Sequence, residues 1–415
     1  MGSLASEPPA RRYRPLHEVI PPLILGTATF NTQYVPDPFD LPAPSIVSRA
    51  LDLGVTAFDT SPYYGPSEII LGDALAHPSV ASRHARSSYF LVTKAGRIAR
   101  DEFDYSPAWI RYSVCRSLER LHTPYLDLVY THDVEFVSPA EVLAAVRELR
   151  RLRDEEGLLR YVGISGYPVD KLCALAEMIL RETGEPLDAV MSYGHFTIQN
   201  TTLGADAMRR FEQANVDVVL NASMLGMGLL TTRGAGTGPL ASWHPSPEGL
   251  RQACQNLVPV AVDAGEKLEV VAIRWALDNW TRVGAAKGSS ASRLPAGTRV
   301  GVSVMGISNI SELVETYRVF NSVIEALEPE SADVELMSRR QWSLDRREKI
   351  QGVVERMWPV LGTWKDYSWD SPDQGFVNTR KAADLGVTPD DGVLTRYESK
   401  TAIRLNIEEV SAIGT

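Results

Sequence analysis

Residues 126–165 read LDLVYTHDVEFVSPAEVLAAVRELRRLRDEEGLLRYVGIS, and the repeating unit of the fold lies in this stretch. An apolar run, LDLVYTH (126–132), precedes a helical pattern over residues 139–153, and a second apolar run, YVGIS (161–165), follows it. Both runs are rich in Val, Leu, Ile and Tyr with little polar alternation, which is typical of strands buried on both faces of a parallel sheet. The stretch therefore predicts one strand–helix–strand unit.

The same pattern continues on both sides of this unit. Six further apolar runs are LILGTA from Leu23, TAFDTS from Thr56, YFLVTK from Tyr89, LDAVMS from Leu187, VDVVLNAS from Val216 and VGVSVMG from Val300. Further helical patterns cover residues 45–53, 109–121, 169–181, 205–214, 266–280 and 311–320. Eight strands alternating with helices predict an α/β fold, a (β/α)8 TIM barrel over about residues 20–325. The alternative, a doubly wound open sheet, is disfavoured because no G-x-G-x-x-G motif follows the first strand.

Two segments lie outside the predicted barrel. Residues 1–19 lack the apolar core of a secretory signal and are predicted to be a disordered leader. Residues 326–415 form a C-terminal extension whose first part, 331–358, has a helical pattern. Trp358, Trp364, Tyr367 and Trp369 follow closely, and such aromatic density predicts packing onto the barrel. The extension is interpreted either as a lid over the site or as a surface for a partner.

Composition excludes several classes of function. The 415 residues carry a formal net charge of -10, which disfavours nucleic acid or an anionic membrane as the main partner. No run of about 18 apolar residues is present, so no membrane-spanning helix is expected. Three widely separated cysteines argue against a disulfide framework and for a reducing compartment, which predicts a cytoplasmic protein.

Polar residues follow successive predicted strands at the end where a TIM barrel carries its active site. Asp59 ends the second strand, and Tyr64 lies in the loop that follows it. Lys94 ends the third strand and His132 ends the fourth. Because these strands are neighbours, we expect the four side chains to converge, and we predict that they form the catalytic group.

The chemistry of these residue types favours a redox reaction at an alcohol or carbonyl. A tyrosine hydroxyl near pKa 10 is a poor base, but a nearby ammonium such as that of Lys94 lowers this pKa. Asp59 can pair with Lys94, and His132 can bind a substrate oxygen. Such a group suits hydride transfer with a nicotinamide cofactor. A metal site is disfavoured because His132 has no second His or Cys at ligand spacing, and a serine hydrolase because no G-x-S-x-G motif is present.

At these residues the chain resembles the aldo-keto reductase family. The stretches that carry the resemblance are GVTAFDTSPYYGPSEIILGDAL (54–75), LVTKAG (91–96), DLVYTHD (127–133) and AIRWALDN (272–279). The resemblance implies a nicotinamide-dependent oxidoreductase in which Tyr64 is the general base during oxidation. It also implies that Lys94 and Asp59 tune Tyr64 and that His132 orients the substrate.

Within this family the chain particularly resembles the NAD-dependent sugar 1-dehydrogenases. The stretches RSLERLHTPYLDLVYTHDVEFV (116–137), GISGYPVD (163–170) and NASMLGMGLL (221–230) carry this resemblance. Such enzymes oxidise the C1 hydroxyl of a cyclic aldose to a lactone, and the resemblance implies an aldose of the D-arabinose or L-galactose type as substrate.

The resemblance also implies a set of cofactor-binding residues. Ser165 and Gly166 would lie at the nicotinamide amide, although the family often has Asn where Gly166 stands. Three residues would lie along the pyrophosphate: Ser223, Leu225 and Gly228. Gly306 and Glu312 occupy the segment that contacts the adenosine 2′ position, where NADP-specific members usually carry Lys and Arg. A carboxylate repels a 2′-phosphate, so the prediction is NAD rather than NADP.

Loop residues after the strands are candidates for substrate contact. The prediction names Asn31, Trp109 and Asp133, since polar and acidic groups suit the hydroxyls of a sugar. Two other functions remain open at this point: a reductase for other aldehydes or ketones, and a cofactor-binding regulatory protein without catalysis. No metal is expected in the site.

Overall fold

Eight parallel strands close into a barrel in the computed structural model, which describes residues 13–236 and 238–398. The described residues contain ten strands in all: β1 (Leu23–Gly26), β2 (Ala57–Asp59), β3 (Phe90–Ala95), β4 (Arg97–Ala99), β5 (Glu102–Phe103), β6 (Leu126–His132), β7 (Leu159–Gly166), β8 (Ala189–Tyr193), β9 (Val218–Ala222) and β10 (Val302–Gly306). Strands β4 and β5 form an antiparallel hairpin outside the barrel. The other eight follow chain order around it, and β1 pairs with β10 to close it. The predicted (β/α)8 barrel is confirmed.

Helices follow the strands and surround the barrel. They are α1 (Ala43–Leu53), α2 (Ser67–Ala76), α3 (Pro78–Ala81), α4 (Pro107–Arg120), α5 (Pro139–Arg151), α6 (Val169–Thr183), α7 (Ala205–Gln213), α8 (Glu248–Gln255), α9 (Leu257–Asp263), α10 (Leu268–Val283), α11 (Ile310–Glu325) and α12 (Val334–Leu361). Every helical pattern in the sequence coincides with one of them, within a few residues at the ends.

Local sequence explains where these helices begin. In α5, Ser138 accepts a hydrogen bond from the backbone N–H of Glu141, whose carboxylate accepts one from the backbone of Ser138 in return. Pro139 occupies the first helical position, where its missing N–H costs nothing. Helix α4 begins in the same way, with Ser106 as the cap and Pro107 after it.

Helix α2 is absent from the helices that the sequence predicted. It is buried on several faces, including at Glu68, Leu71 and Gly72, because it lies between the barrel and other helices. A helix buried around most of its circumference has no polar stripe, so the amphipathic pattern used to find helices is missing. The short helices α8 and α9 were also not predicted.

The amino-terminal end of the barrel is closed by the segment before β1. Residues 16–18 form a helical turn, and the Leu16 and Ile20 side chains are fully buried against the barrel interior. The Tyr161 hydroxyl donates to the carbonyl of Arg14 at 2.7 Å. Residues 13–19 are therefore ordered, where a disordered leader was predicted over 1–19; residues 1–12 lie outside the described part.

The C-terminal extension packs on the barrel over its described length. Helix α12 lies against α8–α11 and buries Ile350, Val353 and Met357. After it, residues 364–380 cross the mouth of the barrel, and we call this segment the C-terminal strap. Gln199 donates to two carbonyls near the start of the strap, at 2.7 and 2.9 Å, and Asn378 near its end bonds to the backbone of Phe103 at 3.0 and 2.8 Å.

Within residues 13–236 and 238–398, no helix combines the length and the apolar character needed to cross a bilayer. The longest helix, α12, is rich in charged residues.

Candidate active site

A large cavity of about 1220 Å³ lies at the carboxyl ends of the barrel strands, as expected for this fold. Ten of the residues predicted for the site line it: Asp59, Tyr64, His132, Asp133, Ser165, Ser223, Leu225, Gly228, Gly306 and Glu312. The parallel register explains this convergence, because Asp59, Lys94 and His132 each stand at or near the end of a neighbouring strand. Residues scattered over 250 positions of sequence therefore share one site.

Lys94 and Asp59 form a buried ion pair beneath the cavity. The Nζ of Lys94 donates to Asp59 Oδ1 at 2.6 Å and to the carbonyl of Thr60 at 2.9 Å. Burial raises the pKa of the Asp59 carboxyl, and Lys94 opposes this effect through its charge and its hydrogen bond. The second oxygen, Asp59 Oδ2, has no hydrogen-bond partner among the described residues. The pair places a fixed ammonium next to the loop that carries Tyr64.

Tyr64 lies between this ammonium and the imidazole of His132. The Lys94 Nζ is 4.8 Å from the centre of the Tyr64 ring, and the Tyr64 and His132 rings meet edge to face at 5.6 Å. Burial raises the pKa of the Tyr64 hydroxyl well above its usual value, and the carboxylates of Asp59 and Asp133 raise it further. The sequence predicted a lowered pKa for Tyr64. That prediction is wrong for this structure, because burial raises the pKa of the hydroxyl more than nearby positive charge lowers it.

The hydrogen bonds of His132 assign its protonation. The Ser61 Oγ accepts from the backbone N–H of Tyr63 at 3.1 Å and lies 3.0 Å from His132 Nδ1. Because Nε2 lies 3.5 Å from Asp133 Oδ2, a carboxylate oxygen that can only accept, we assign the hydrogen of the neutral ring to Nε2 and the Ser61 hydroxyl as the donor to Nδ1. Burial lowers the pKa of His132 to about 3, so the ring is neutral at physiological pH. Nε2 is then a hydrogen-bond donor for a substrate oxygen.

An ion pair that the sequence reasoning missed stands beside this group. Arg97, in hairpin strand β4, donates to the carboxylate of Asp133, and both residues line the cavity. The guanidinium also lies 3.8 Å from the centre of the Tyr63 ring, a cation–π distance. Although burial acts the other way, the charge and the hydrogen bond of Arg97 keep the pKa of the Asp133 carboxyl below its usual value. In the sequence, Arg97 could have been noticed only as an arginine three residues after Lys94.

The remaining lining fits a nicotinamide dinucleotide. The cavity extends from Tyr64 to Glu312 in the first turn of α11, and its volume exceeds the roughly 300–1,000 Å³ of ordinary ligand pockets. Between these ends the backbone after β9 is left-handed at Ser223 (φ 56°) and Gly228 (φ 101°). Such a loop offers its backbone rather than bulky side chains to a ligand, as pyrophosphate binding requires. The residues predicted to hold a cofactor are therefore where a long ligand would need them, with one exception.

The exception is Gly166, which does not line the cavity. A Cβ atom built on Gly166 would lie 2.4 Å from Glu135 Oε2, so the carboxyl of Glu135 fills the space that a side chain at 166 would use. Glu135 also accepts from the backbone N–H of Tyr167 at 3.0 Å and from the Ser371 hydroxyl of the strap at 2.9 Å. A side chain at position 166 would therefore have to displace the Oε2 atom of Glu135.

Glu312 lines the end of the cavity at the N-terminus of α11 and is tied to the start of its own helix. Its Oε2 accepts from the backbone N–H and the hydroxyl of Ser308, both at 2.8 Å, while Asn309 accepts from the backbone N–H of Glu312 at 3.0 Å. Glu315 lines the same end of the cavity. Two carboxylates therefore face this region, and the first of them is held in place by its hydrogen bonds to Ser308.

Two of the predicted substrate residues lie elsewhere. Asn31 accepts from the backbone N–H of Gln33 at 3.1 Å and shapes its own turn, and Trp109 packs against Tyr112 and under Arg380. Neither lines the cavity. The strap also contributes residues to the cavity lining that were not predicted from the sequence, including Trp369, Asp370, Ser371, Phe376 and Val377.

The comparisons with known proteins agree with this geometry. Residues 22–332 match the model of the aldo/keto reductase family. The chain belongs to this family. D-arabinose 1-dehydrogenase of Saccharomyces cerevisiae is 37% identical to this aldo/keto reductase over 308 residues, which cover 73% of the chain and 84% of that protein. L-galactose dehydrogenase of Arabidopsis thaliana is 35% identical over 240 residues, covering 57% of the chain and 70% of that protein.

Membership of the family and these two relatives identify the protein as an oxidoreductase with a nicotinamide cofactor and a small-molecule substrate. These relatives are both named as dehydrogenases, which disfavours the regulatory role without catalysis that the sequence alone left open. The family match ends at residue 332, so α12 and the strap lie outside it.

Proposed function

We propose that this aldo/keto reductase oxidises the C1 hydroxyl of a cyclic aldose, of the D-arabinose or L-galactose type, to a lactone. The observation that carries the proposal is the grouping of Tyr64, Lys94, Asp59 and His132 at one end of a cavity long enough for a dinucleotide. Two relatives named as sugar dehydrogenases support the choice of substrate class.

The proposed chemistry divides the substrate C1–OH group into a proton and a hydride. Tyr64 accepts the proton of the hydroxyl, while the Nε2–H of His132 donates a hydrogen bond to the same oxygen and fixes its position. An oxidised nicotinamide, when bound, would supply the hydride acceptor and a positive charge to the site. Added positive charge favours the phenolate, which offsets the effect of burial on the pKa of Tyr64. Lys94 contributes in the same direction from beneath the ring.

We propose NAD as the preferred cofactor. Glu312 and Glu315 face the end of the cavity that the adenosine would occupy, and negative charge there disfavours a 2′-phosphate. Glu312 is anchored to Ser308, so it cannot turn away without loss of two hydrogen bonds. The three cysteines are buried and none is in a disulfide, which supports a proposed cytoplasmic location.

A specific observation favours a second candidate, the reduction of aldehydes or ketones other than sugars. Phe136, Trp243, Trp369 and Phe376 line the cavity, and an aromatic wall also suits an apolar carbonyl compound. The same four catalytic residues would serve in this direction, with Tyr64 as the acid.

Absorbance at the NADH band tests the proposal. The protein is mixed with NAD or NADP and with D-arabinose or L-galactose, and the reverse assay supplies NADPH with simple aldehydes. We expect NADH formation with an aldose, greater catalytic efficiency with NAD than with NADP, and a loss of about 100-fold or more in kcat for Tyr64→Phe. Binding of cofactor to Tyr64→Phe, followed by fluorescence, should be unchanged.

Turnover of aldehydes with no oxidation of any aldose would favour the second candidate. Undiminished activity of Tyr64→Phe would contradict the assignment of Tyr64 as the base.

A further inference from the structure

Asp133 has an unusual backbone conformation immediately after the catalytic His132. Its φ and ψ are 58° and 62°, in the left-handed region that side-chain-bearing residues seldom adopt. Such conformations cost free energy and are found disproportionately at functional sites. The Asp133 side chain lines the cavity, although only 3% of it is exposed.

The two oxygens of this carboxylate have different surroundings. Oδ2 pairs with Arg97 and lies 3.5 Å from His132 Nε2. Oδ1 is buried and has no hydrogen-bond partner among residues 13–236 and 238–398. Oδ1 is therefore closed off from the cavity, whereas Oδ2 receives a hydrogen bond from Arg97 and, as a carboxylate oxygen, can accept a second one beside His132 Nε2.

Arg97 keeps the carboxylate charged and fixed. Its other nitrogens donate to the carbonyl of Arg100 at 2.9 Å and to the carbonyl of Ala99 at 3.3 Å. Its guanidinium is further restrained over the Tyr63 ring. The acceptor at Asp133 is therefore held in place before any substrate binds.

We propose that Asp133 accepts a hydrogen bond from the substrate hydroxyl on the carbon next to the reacting carbon, so that the enzyme selects substrates hydroxylated at C2. The inference rests on the proposed function. His132 Nε2 donates to the oxygen on C1, and hydroxyls on adjacent carbons lie within hydrogen-bonding distance of each other. The carboxylate adjacent to Nε2 is thus the group that a C2 hydroxyl meets first.

The test compares an aldose with its 2-deoxy form in the intact protein. 2-Deoxy-D-ribose differs from D-arabinose by the C2 hydroxyl alone, and 2-deoxy-L-galactose serves if L-galactose is the better substrate. For the wild type we expect kcat/KM to be about 100-fold lower for the deoxy sugar, because a fixed, charged acceptor loses its donor.

Two substitutions at Asp133 suit its left-handed backbone and therefore preserve the fold. Asp133→Asn keeps the shape but removes the charge, and Asp133→Gly removes the acceptor. We expect the ratio of kcat/KM between the two sugars to fall below about 10 in Asp133→Asn and to approach one in Asp133→Gly. The ratio isolates the hydroxyl contact, because loss of the ion pair with Arg97 affects both sugars alike.

Asp101→Asn is the matched control, since it removes a half-exposed carboxylate at the rim of the same cavity. Its ratio should equal that of the wild type. A wild type that does not distinguish the two sugars, or a ratio that survives in both Asp133 variants, overturns the inference while leaving the aldose dehydrogenase proposal intact. Absence of turnover with every aldose removes the proposed function and this inference with it.

Discussion

Burial rather than charge pairing sets the protonation of several residues around the cavity. His132 is neutral because burial lowers its pKa to about 3. Glu135 is the opposite case: burial, followed by the charge of Asp133, raises the pKa of its carboxyl from 4.5 to about 8. At neutral pH Glu135 is therefore mostly protonated in the folded protein and ionised in the unfolded chain.

This difference makes Glu135 a source of pH-dependent instability. A carboxyl whose pKa is raised by folding destabilises the fold progressively as the pH rises from about 4.5 to about 8. Glu135→Gln keeps the shape and the acceptor for Tyr167 and Ser371 but cannot ionise. We expect the difference in the free energy of unfolding between Glu135→Gln and the wild type to grow by roughly 2 kcal/mol in favour of the variant between pH 6 and pH 9. Urea unfolding at each pH measures this difference.

Glu335→Gln makes the same chemical change on the exposed face of α12 and serves as the control. An advantage of Glu135→Gln that stays constant with pH would show that Glu135 is ionised in the folded state.

At the scale of elements, the position of α2 depends on a glycine. A Cβ atom on Gly72 would lie 2.0 Å from the carbonyl oxygen of Arg120, at the end of α4, and 2.8 Å from the Cα of Leu121. Both are backbone atoms, so neither can move aside without displacing α4. Close approach of α2 and α4 in turn holds the loop that carries Tyr64 against the barrel.

Gly72→Ala should therefore destabilise the protein even though alanine is the better helix former. We expect a loss of about 1–3 kcal/mol in the free energy of unfolding, typical of overpacking in a core. Gly352→Ala is the matched control within α12, where no atom lies within 4 Å of the added methyl group. There the helix propensity acts alone, and we expect a gain of about 0.5–1 kcal/mol. Equal effects of the two substitutions would contradict the packing argument.

At the scale of the whole molecule, the strap joins the C-terminal extension to the catalytic face of the barrel. Trp369 stacks on Tyr167 with ring centres 4.4 Å apart and meets His244 edge to face at 5.5 Å. His195 and Asn200 contact Ser368 at 3.2 and 3.0 Å. These contacts fix the strap just before Trp369, the first of its residues that line the cavity. A segment outside the family match thus completes the wall of the site.

Trp369→Ala should loosen this wall. We expect a loss of about 3 kcal/mol in the free energy of unfolding, since a large buried aromatic side chain is removed. A higher KM for the sugar with little change in the Kd of the cofactor should accompany it. Trp342→Ala, at a tryptophan that is 58% exposed on α12, should change stability by less than about 0.5 kcal/mol. Equal losses in the two variants would show that the strap does not stabilise the barrel.

The sequence by itself determined the barrel and the positions of the four residues that we propose as the catalytic group. Buried strands of a parallel barrel are short, continuous apolar runs, and catalytic residues stand at their ends, so Asp59, Lys94 and His132 could be placed from local sequence alone. Tyr64 followed from its place in the next loop. Helix α2 escaped because burial on several faces removes the periodicity on which helix prediction depends.

Only the tertiary structure decided the contacts made across the chain. The pairing of Arg97 with Asp133, the contact of Glu135 with Gly166 and the position of the strap each join segments that no local pattern relates. The same holds for the pKa of Tyr64, which the sequence suggested would be low and which burial raises. Local periodicity is set by neighbours in sequence, whereas burial and ion pairing depend on residues brought together only when the barrel closes.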